Sequence, residues 1–550
     1  MAEANAFRAA ARAVRAAARE GNQLLSGGVS EVRVSDPEIA RSLRGILTAC
    51  GVRLAQDGAT GRMARDGATE NAENGPDRPG FVFVDDVAAV PDSAIAAAAQ
   101  ARGLPPVYAD PAGHSRSSRA ADAESRIAWA AAGMPATAAL AARLLAASAR
   151  DRPRLAVSLV LEPKTAAFAR TLADSGCEVA VFGAVSETDP SVATALELGG
   201  GVAVFAPTAP VDQEDAGRVD AANAAAILDW APELLIDDGS HLLRLAHTER
   251  NGALDALRGA AEETTSGVRP LVEMVAEGSL AIPVIAVNDA RTKTGFDNRI
   301  GTGQTCVTAI LDLLDPPAAA GTDPRQRAVG AAGEAWTVIG YGPVGEGVAR
   351  FAAAFGARVR VVERDPVRAL AAHLDGHAAV SLREGLAGAD VVVSATGVWH
   401  TLTAEHFAAL APGTAVAVAG GIDDELALGT LRTLGWTERR LGEDRSEWIA
   451  PGEASGPIVL ADGGGVNYTA GEGNPVEIMD LSFATQLAAL IRLISEDLPA
   501  GVHTVSAADE AAVARASLAA RGAEAEAEVE SARPGGAAQH WRTHRYGSRA

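Results

Sequence analysis

AWTVIGYGPVGEGVARFAAAFGARVRVVERDP, residues 335–366, decides the fold. A short apolar strand (336–339) runs into Gly340-Tyr341-Gly342-Pro343-Val344-Gly345. A helix with an apolar face (348–355) follows, then Gly356 as a stop and a β-branched run (359–362) ending on Glu363. Each part has a task in gripping a dinucleotide. Gly340 permits a tight turn, Gly342 lets the backbone approach a pyrophosphate, and Gly345 lets helix and strand pack closely. The free N–H groups and positive dipole end of the helix face the diphosphate. Glu363 at the end of the second strand accepts ribose hydroxyls and repels a 2′-phosphate. NAD is therefore the expected cofactor, with Arg364 the one neighbour that would tolerate NADP.

The bulk numbers set the frame. At 550 residues the chain holds two or three domains. Hydrophobic content of 48% with 21% charged residues fits an ordinary soluble protein, and no uninterrupted apolar run is long enough to span a bilayer. A net charge of −22 argues against a nucleic-acid partner, which calls for a basic stripe. Cys50, Cys177 and Cys306 are too far apart for a disulfide framework or a zinc site, so no metal and a cytoplasmic location are expected.

Arg8, Arg12, Arg15 and Arg19 fall on one face of a helix, which predicts a folded partner helix rather than a transit peptide. Residues 29–110 alternate β-like and helical runs and predict a small α/β unit, interrupted by a polar loop at 57–79. Asp85-Asp86 reads as a solvated strand end. From Arg126 the pattern becomes doubly wound: LAVSLVL, EVAVFG, GVAVFAP, LLIDDG and PVIAVND alternate with amphipathic helices, which implies a parallel sheet covered on both faces. Sites in such sheets lie at the carboxyl ends of strands. Polar residues collect there: Asp237-Asp238-Gly239, Glu262-Glu263-Thr264-Thr265, and Asn288-Asp289 running on to Lys293, Asp297 and Asn298.

These motifs resemble the S-adenosyl-L-homocysteine hydrolase family. The resemblance rests on Gly-Tyr-Gly-x-Val-Gly-x-Gly at 340–347 with Glu363, on Ile236-Asp-Asp-Gly, on Glu262-Glu-Thr-Thr-x-Gly, and on Val287-Asn-Asp-x-x-Thr-Lys-x-x-Phe-Asp-Asn298. It runs over about 125–547 and leaves the first 120 residues uncovered. It implies an α/β architecture of two Rossmann-like, doubly wound parallel-sheet domains, one for substrate and one for NAD, beside the small N-terminal α/β unit and a C-terminal tail. The expected boundaries are 1–120 for the extension, 121–301 with 475–500 for the substrate domain, 302–474 for the NAD domain, and 501–550 for an oligomerisation tail.

The resemblance also implies a chemistry. Oxidising a nucleoside 3′-hydroxyl with NAD makes C4′–H acidic, so a C5′ thiolate can leave, water can add, and the stored hydride restores the alcohol. Lys293, Asp297 and Asp238 are the implied catalytic residues, with Lys293 needing a pKa lowered by burial. Glu263, Thr165, Asn474 and Met479 are the implied substrate contacts. Thr264, Thr265, Asn298 and Asn467 are implied for NAD. The end of the chain, Arg542-x-x-x-Tyr546, is similar to the family's tail, which reaches the NAD of a neighbouring subunit, so a homo-oligomer (dimer or tetramer) is expected.

The departures from the family concentrate on one side. The family's His-x-Thr-x-Gln-Thr falls on Val160-Leu161-Glu162-Pro163-Lys164-Thr165, which removes a His and a base-contacting Gln. Its Ser-Thr-Gln-Asp reads Glu187-Thr188-Asp189-Pro190, its Asn-x-Gly-His reads Val418-Ala419-Gly420-Gly421, and Gly473-Asn474-Pro475 lacks the His of Gly-His-Pro. Thr302 stands for a Cys. His241, His247 and His400 lie near motif ends as conceivable substitutes. The redox side is retained and the side facing base and leaving group is rewritten, which predicts a nucleoside substrate other than S-adenosylhomocysteine; the alternatives are housekeeping hydrolysis of S-adenosylhomocysteine and a silent NAD-binding paralogue. Truncation after Ala532 is expected to lower NAD retention and disturb the oligomer, read by cofactor released on denaturation and by size-exclusion chromatography. An unchanged size with full NAD content would remove the tail from the site.

Overall fold

The computed structural model describes residues 2–55, 80–99, 104–148, 152–315, 333–420 and 424–526. The polar loop at 57–79, Gly421, Arg542 and Tyr546 lie outside the described residues.

Three sheets organise the chain. The first holds β1 (Val29–Arg33), β2 (Arg53–Leu54), β3 (Phe81–Val84), β4 (Val107–Ala109) and β5 (Ser115–Arg116) in the order β2-β1-β3-β4-β5. The second holds β6 (Arg154–Ser158), β7 (Glu178–Phe182), β8 (Val202–Phe205), β9 (Leu234–Asp237), β10 (Gly259–Glu262) and β11 (Pro283–Ala286), in the order β11-β10-β9-β6-β7-β8 and all parallel. The third runs β14-β13-β12-β15-β16-β19-β18-β17. Its members are β12 (Ala335–Ile339), β13 (Arg358–Val362), β14 (Ala378–Ala379), β15 (Val391–Ser394), β16 (Ala415–Val418), β17 (Thr437–Gly442), β18 (Arg445–Ile449) and β19 (Ile458–Leu460). Only its β17 and β18 pairings are antiparallel. β20 (Gly501–Thr504) then returns to the second sheet, parallel to β11.

That last strand corrects the expected boundary at 501. GVHT carries too little apolar pattern to announce a strand, yet it completes the edge of the second sheet. The helix Ala507–Ala520 then buries Val513 in the same core.

In the third sheet β12 is flanked by β13 and β15, with Val338 opposite Val361 and Val393, all three inaccessible to solvent. β-branched residues on both faces suit a strand covered on both sides. The helix after the glycine turn is Pro343–Ala354, starting earlier than its apolar face suggests. Proline fits the first helical position because its φ is preset and its missing N–H would have no partner there.

The chain passes between the second and third sheets twice. It leaves through the helix Thr302–Leu314 and comes back through 470–475 into the helix Val476–Ser495. The latter is long and apolar enough to cross a membrane by composition, and 72% of its most apolar window is buried inside the protein.

The arginine-spaced N-terminal segment is the helix Ala2–Gly21; it packs on the helix Pro37–Ala49, and its arginines reach the end of the outgoing helix. Arg15, 2% exposed, bonds Asp312 at 2.8 Å and Asp315 at 3.1 Å, while Arg12 bonds Asp315 at 2.8 Å and Arg19 also bonds Asp312. Arg15→Leu is expected to cost about 3 kcal/mol in urea unfolding, the low end for removing one member of a buried pair because Arg12 and Arg19 stay with the carboxylates. A loss near zero would show that the two helices are held by apolar packing alone.

Candidate active site

The second sheet changes direction between β6 and β9: β7 and β8 build outward on one side, β10, β11 and β20 on the other. In such sheets the carboxyl edge at this reversal is a crevice. The turn after β9, Asp238-Gly239-Ser240, has left-handed backbone at Gly239 (φ 73°) and Ser240 (φ 53°). Glu262, fully buried at the end of β10, holds it: Gly239 N–H donates to Oε1 at 3.0 Å and Ser240 N–H to Oε2 at 2.9 Å. Thr264 caps the helix Thr265–Glu277 and donates its hydroxyl to the same carboxylate at 2.8 Å. No side chain but glycine fits at 267, where a Cβ would lie 2.1 Å from Glu262 Oε1.

Lys293, 3% exposed on the short helix Arg291–Thr294, sits in the middle of the edge. Its Nζ donates to Asn298 Oδ1 at 2.9 Å and lies 3.1 Å from Glu263 Oε1 and 3.5 Å from Asp297 Oδ1. Ser482 of the returning helix donates to Glu263 at 3.1 Å. Asn474 donates to Asp297 Oδ1 at 2.9 Å and accepts from Thr305 at 3.2 Å, so its amide faces the catalytic turn. Asn298 donates to Asn288 at 3.4 Å. Asp297 and Asn298 open a π-helical turn, Asp297–Gly301, a local device frequent at functional sites.

One ammonium serves several carboxylates. Burial pushes Asp238 up to about 7, and the nearby Glu187 adds to the effect. Burial pushes Glu263 up to about 8 against the pull of Lys293. Burial alone would lower Lys293, but Asp297 and Glu263 outweigh it and hold the amine well above its ordinary value. The expected lowering of the Lys293 pKa is therefore corrected: burial came with anions attached. Lys293 is charged at neutral pH, while Asp238 and Glu263 hold a proton more readily than ordinary carboxyls.

The other expected residues fall on the same edge or the facing one. Thr165 is buried in the first turn of the helix Pro163–Asp174, whose Lys164, also buried, donates to Glu472 O at 2.7 Å and pairs with Glu162 at 2.7 Å. Met479 is half-buried against the core of the second sheet. Thr265 is exposed. Lys164, Glu187, Glu262 and Ser482 were not singled out as site residues from sequence. Glu262 stood in the polar cluster at a strand end, 164 and 187 were departures from the family pattern, and Ser482 carried no signal. The candidate histidines do not reach Lys293: His247 has both ring nitrogens on backbone, at Leu243 O (2.7 Å) and Ala281 N (3.1 Å), His241 is bonded by Arg244, and His400 stacks on Trp399.

Across the cleft the third sheet presents the glycine turn. Gly340 has φ 94°, and a Cβ at Gly345 would lie 2.0 Å from Gly340 O. Among the described residues, a Cβ at Gly342 would meet one atom within 4 Å, Nη1 of Arg368 at 3.5 Å, and none of their side chains caps the helix that follows. Glu363 accepts from Tyr341 N at 2.7 Å and Asp365 N at 2.9 Å, leaving lone pairs on both oxygens. Asn467, 4% exposed, has a buried Oδ1 with no protein partner, which suits a carboxamide donor. These residues fit a dinucleotide.

Residues 322–473 match the family described as S-adenosyl-L-homocysteine hydrolase, NAD binding domain. S-inosyl-L-homocysteine hydrolase of Methanosarcina mazei is 37% identical over 64% of this chain and 81% of that protein. The adenosylhomocysteinase of Thermotoga maritima is 36% identical over 68% of this chain and 87% of its own length, and that of Thermosynechococcus vestitus 34% over 72% and 89%. The chain belongs to the S-adenosyl-L-homocysteine hydrolase family. NAD is its cofactor, and the unpartnered Asn467 and open glycine turn are where this family member would hold it.

The raised carboxyl at Asp238 has a sign. A folded-state pKa above the unfolded one means the native state binds the extra proton, so this group's contribution to stability falls as pH rises from about 4 to about 7. Asp238→Asn is expected to flatten that fall and to gain about 1–2 kcal/mol over wild type at pH 8, after discounting for partial exposure. Thermal midpoints of the substrate-free protein across pH 5–8 check it, and parallel curves would place Asp238 in an ordinary carboxylate environment.

Proposed function

We propose that this family member oxidises the 3′-hydroxyl of a nucleoside carrying a carbonyl on its base, and then cleaves the C5′ thioether through the 3′-keto compound. The observation that carries the reading is the buried Lys293 ammonium held among Glu263, Asp297 and Asn298 at a sheet edge whose 297–301 turn packs on the helix that follows the glycine turn. Bound NAD would supply the hydride acceptor and later the donor.

The chain's own residues do the rest. Lys293 donates to the sugar oxygen and stabilises its negative charge, and the hydroxyl proton passes to Asp297, whose Oδ1 lies 3.5 Å from the Lys293 Nζ. Asp238, poised near neutrality, takes the C4′ proton and can return it. Glu263 holds the ribose diol, with Ser482 fixing its carboxyl.

For the base, Lys164 at the β6 side of the reversal is the relevant departure. An ammonium has three donors; two serve Glu162 and Glu472 O, and the third suits an acceptor such as a purine carbonyl, not an amino group. S-Inosylhomocysteine fits this requirement, S-adenosylhomocysteine does not.

Loading the protein with NAD and adding nucleosides with varied bases and 5′ groups is expected to raise the NADH absorbance, best with carbonyl-bearing purines. Lys293→Ala should abolish the signal. Lys164→Gln should weaken the carbonyl preference by about 10–100-fold, one charge-assisted hydrogen bond. Faster turnover of S-adenosylhomocysteine than of its inosyl counterpart would sink the base assignment. No reduction with any nucleoside would sink the whole reading and leave an NAD-binding paralogue.

A further inference from the structure

The six residues at 20–25 end the N-terminal helix and touch both passages between the second and third sheets. On the outgoing helix, Gln304 is 1% exposed and both ends of its amide are committed to this segment: Leu25 N–H donates to Oε1 at 2.9 Å, and Nε2 donates to Gln23 O at 3.0 Å. On the returning passage, Val476 N–H donates to Asn22 O at 3.0 Å, Asn22 Nδ2 to Gly473 O at 3.3 Å, and Leu24 N–H to Glu477 Oε2 at 2.9 Å. The substrate side is included: Trp129 Nε1 donates to Gly21 O at 2.8 Å and Arg119 to Glu20 O at 2.8 Å, while Arg119 and Arg126 both bond Glu472. Asn22 is left-handed (φ 45°), a conformation asparagine tolerates best among non-glycine residues.

Between the two passages stands Asn474. It follows Gly473, bonds Thr305, which follows Gln304, and donates to Asp297 beside Lys293. Displacing either passage displaces the amide that orients Asp297.

We propose that residues 20–25 are a positioning strap for the active site, with Asn22 and Gln304 its positioning residues: they fix the two passages against each other so that Asn474 is held on Asp297. Nothing in the reaction touches the strap. Its effect on turnover rests on the proposed function above, but its effect on the passages does not.

The test is amide hydrogen exchange on the substrate-free, NAD-loaded protein. In Gln304→Leu the strap loses two hydrogen bonds, and exchange of the 470–478 segment, which Gln304 does not touch, is expected to accelerate about 10-fold through local opening. NAD reduction by an active nucleoside should slow by about 10-fold with KM near wild type, the signature of misplacement rather than lost binding. Gln304→Glu keeps the acceptor for Leu25 N and should fall between. Asn22→Gly keeps the left-handed turn, removes only the bond to Gly473 O, and should show the same pattern more weakly, which guards against a folding failure in the leucine variant. Unchanged exchange at 470–478 in both Gln304→Leu and Asn22→Gly overturns the strap. Faster exchange with no active nucleoside in wild type retains the strap and sinks the function assigned to the site.

Discussion

A single ammonium, almost wholly buried among carboxylates, is what the rest of the structure has to accommodate. Lys293 cannot be neutralised by burial while Glu263 and Asp297 stand within 3.5 Å of its Nζ, and burial raises Glu263 and Asp238 beside it. Neutral groups then fix the geometry of these charges. Ser482, Asn298 and Asn474 are neutral donors and acceptors, each from a different element.

Bringing that edge to a dinucleotide turn requires two sheets to approach closely, which small residues permit. The Rossmann helix Pro343–Ala354 meets the catalytic turn and the outgoing helix at Gly347 and Gly303. A Cβ on Gly347 would lie 1.9 Å from Arg299 O, and one on Gly303 2.6 Å from the Gly347 backbone. The second and third glycines of the dinucleotide fingerprint have their usual tasks. The extra glycine at 347 lets the Rossmann helix, the 297–301 turn and the outgoing helix approach this closely.

The redox half was legible because its motifs are local: a glycine turn, an acid at a strand end, a lysine and two polar residues within six positions. What stayed hidden was non-local or apolar-poor. β10 is Gly-Ala-Ala-Glu, without a β-branched residue, and is a strand because it pairs with β9 and β11 on either side; its first glycine admits Leu493, which would lie only 2.7 Å from a Cβ there. β20 is only four residues long, Gly501–Thr504, and is separated in sequence from the rest of its sheet. The Lys293 environment was read with the wrong sign because burial was weighed without the carboxylates that meet its ammonium, Asp297 four positions on and Glu263 30 positions back. The N-terminal arginines announced a partner helix, but nothing in their spacing said which one.

The rewritten residues also make physical sense as a group. Lys164 and Glu187 both lie on the β6–β7 side of the sheet reversal, while the Lys293 cluster lies on the β9–β11 side. A substrate lying across the reversal meets retained chemistry at one end and new charges at the other. Lys164 would be an uncompensated cation in an adenine pocket built for an amino group. Here Glu162 and the Glu472 carbonyl satisfy it, and Arg119 and Arg126 hold Glu472 below its ordinary pKa despite burial. Drift alone would not be expected to install a buried cation together with its acceptors. The proposed carbonyl-bearing base would meet this ammonium with its carbonyl and carboxylate partners already in place.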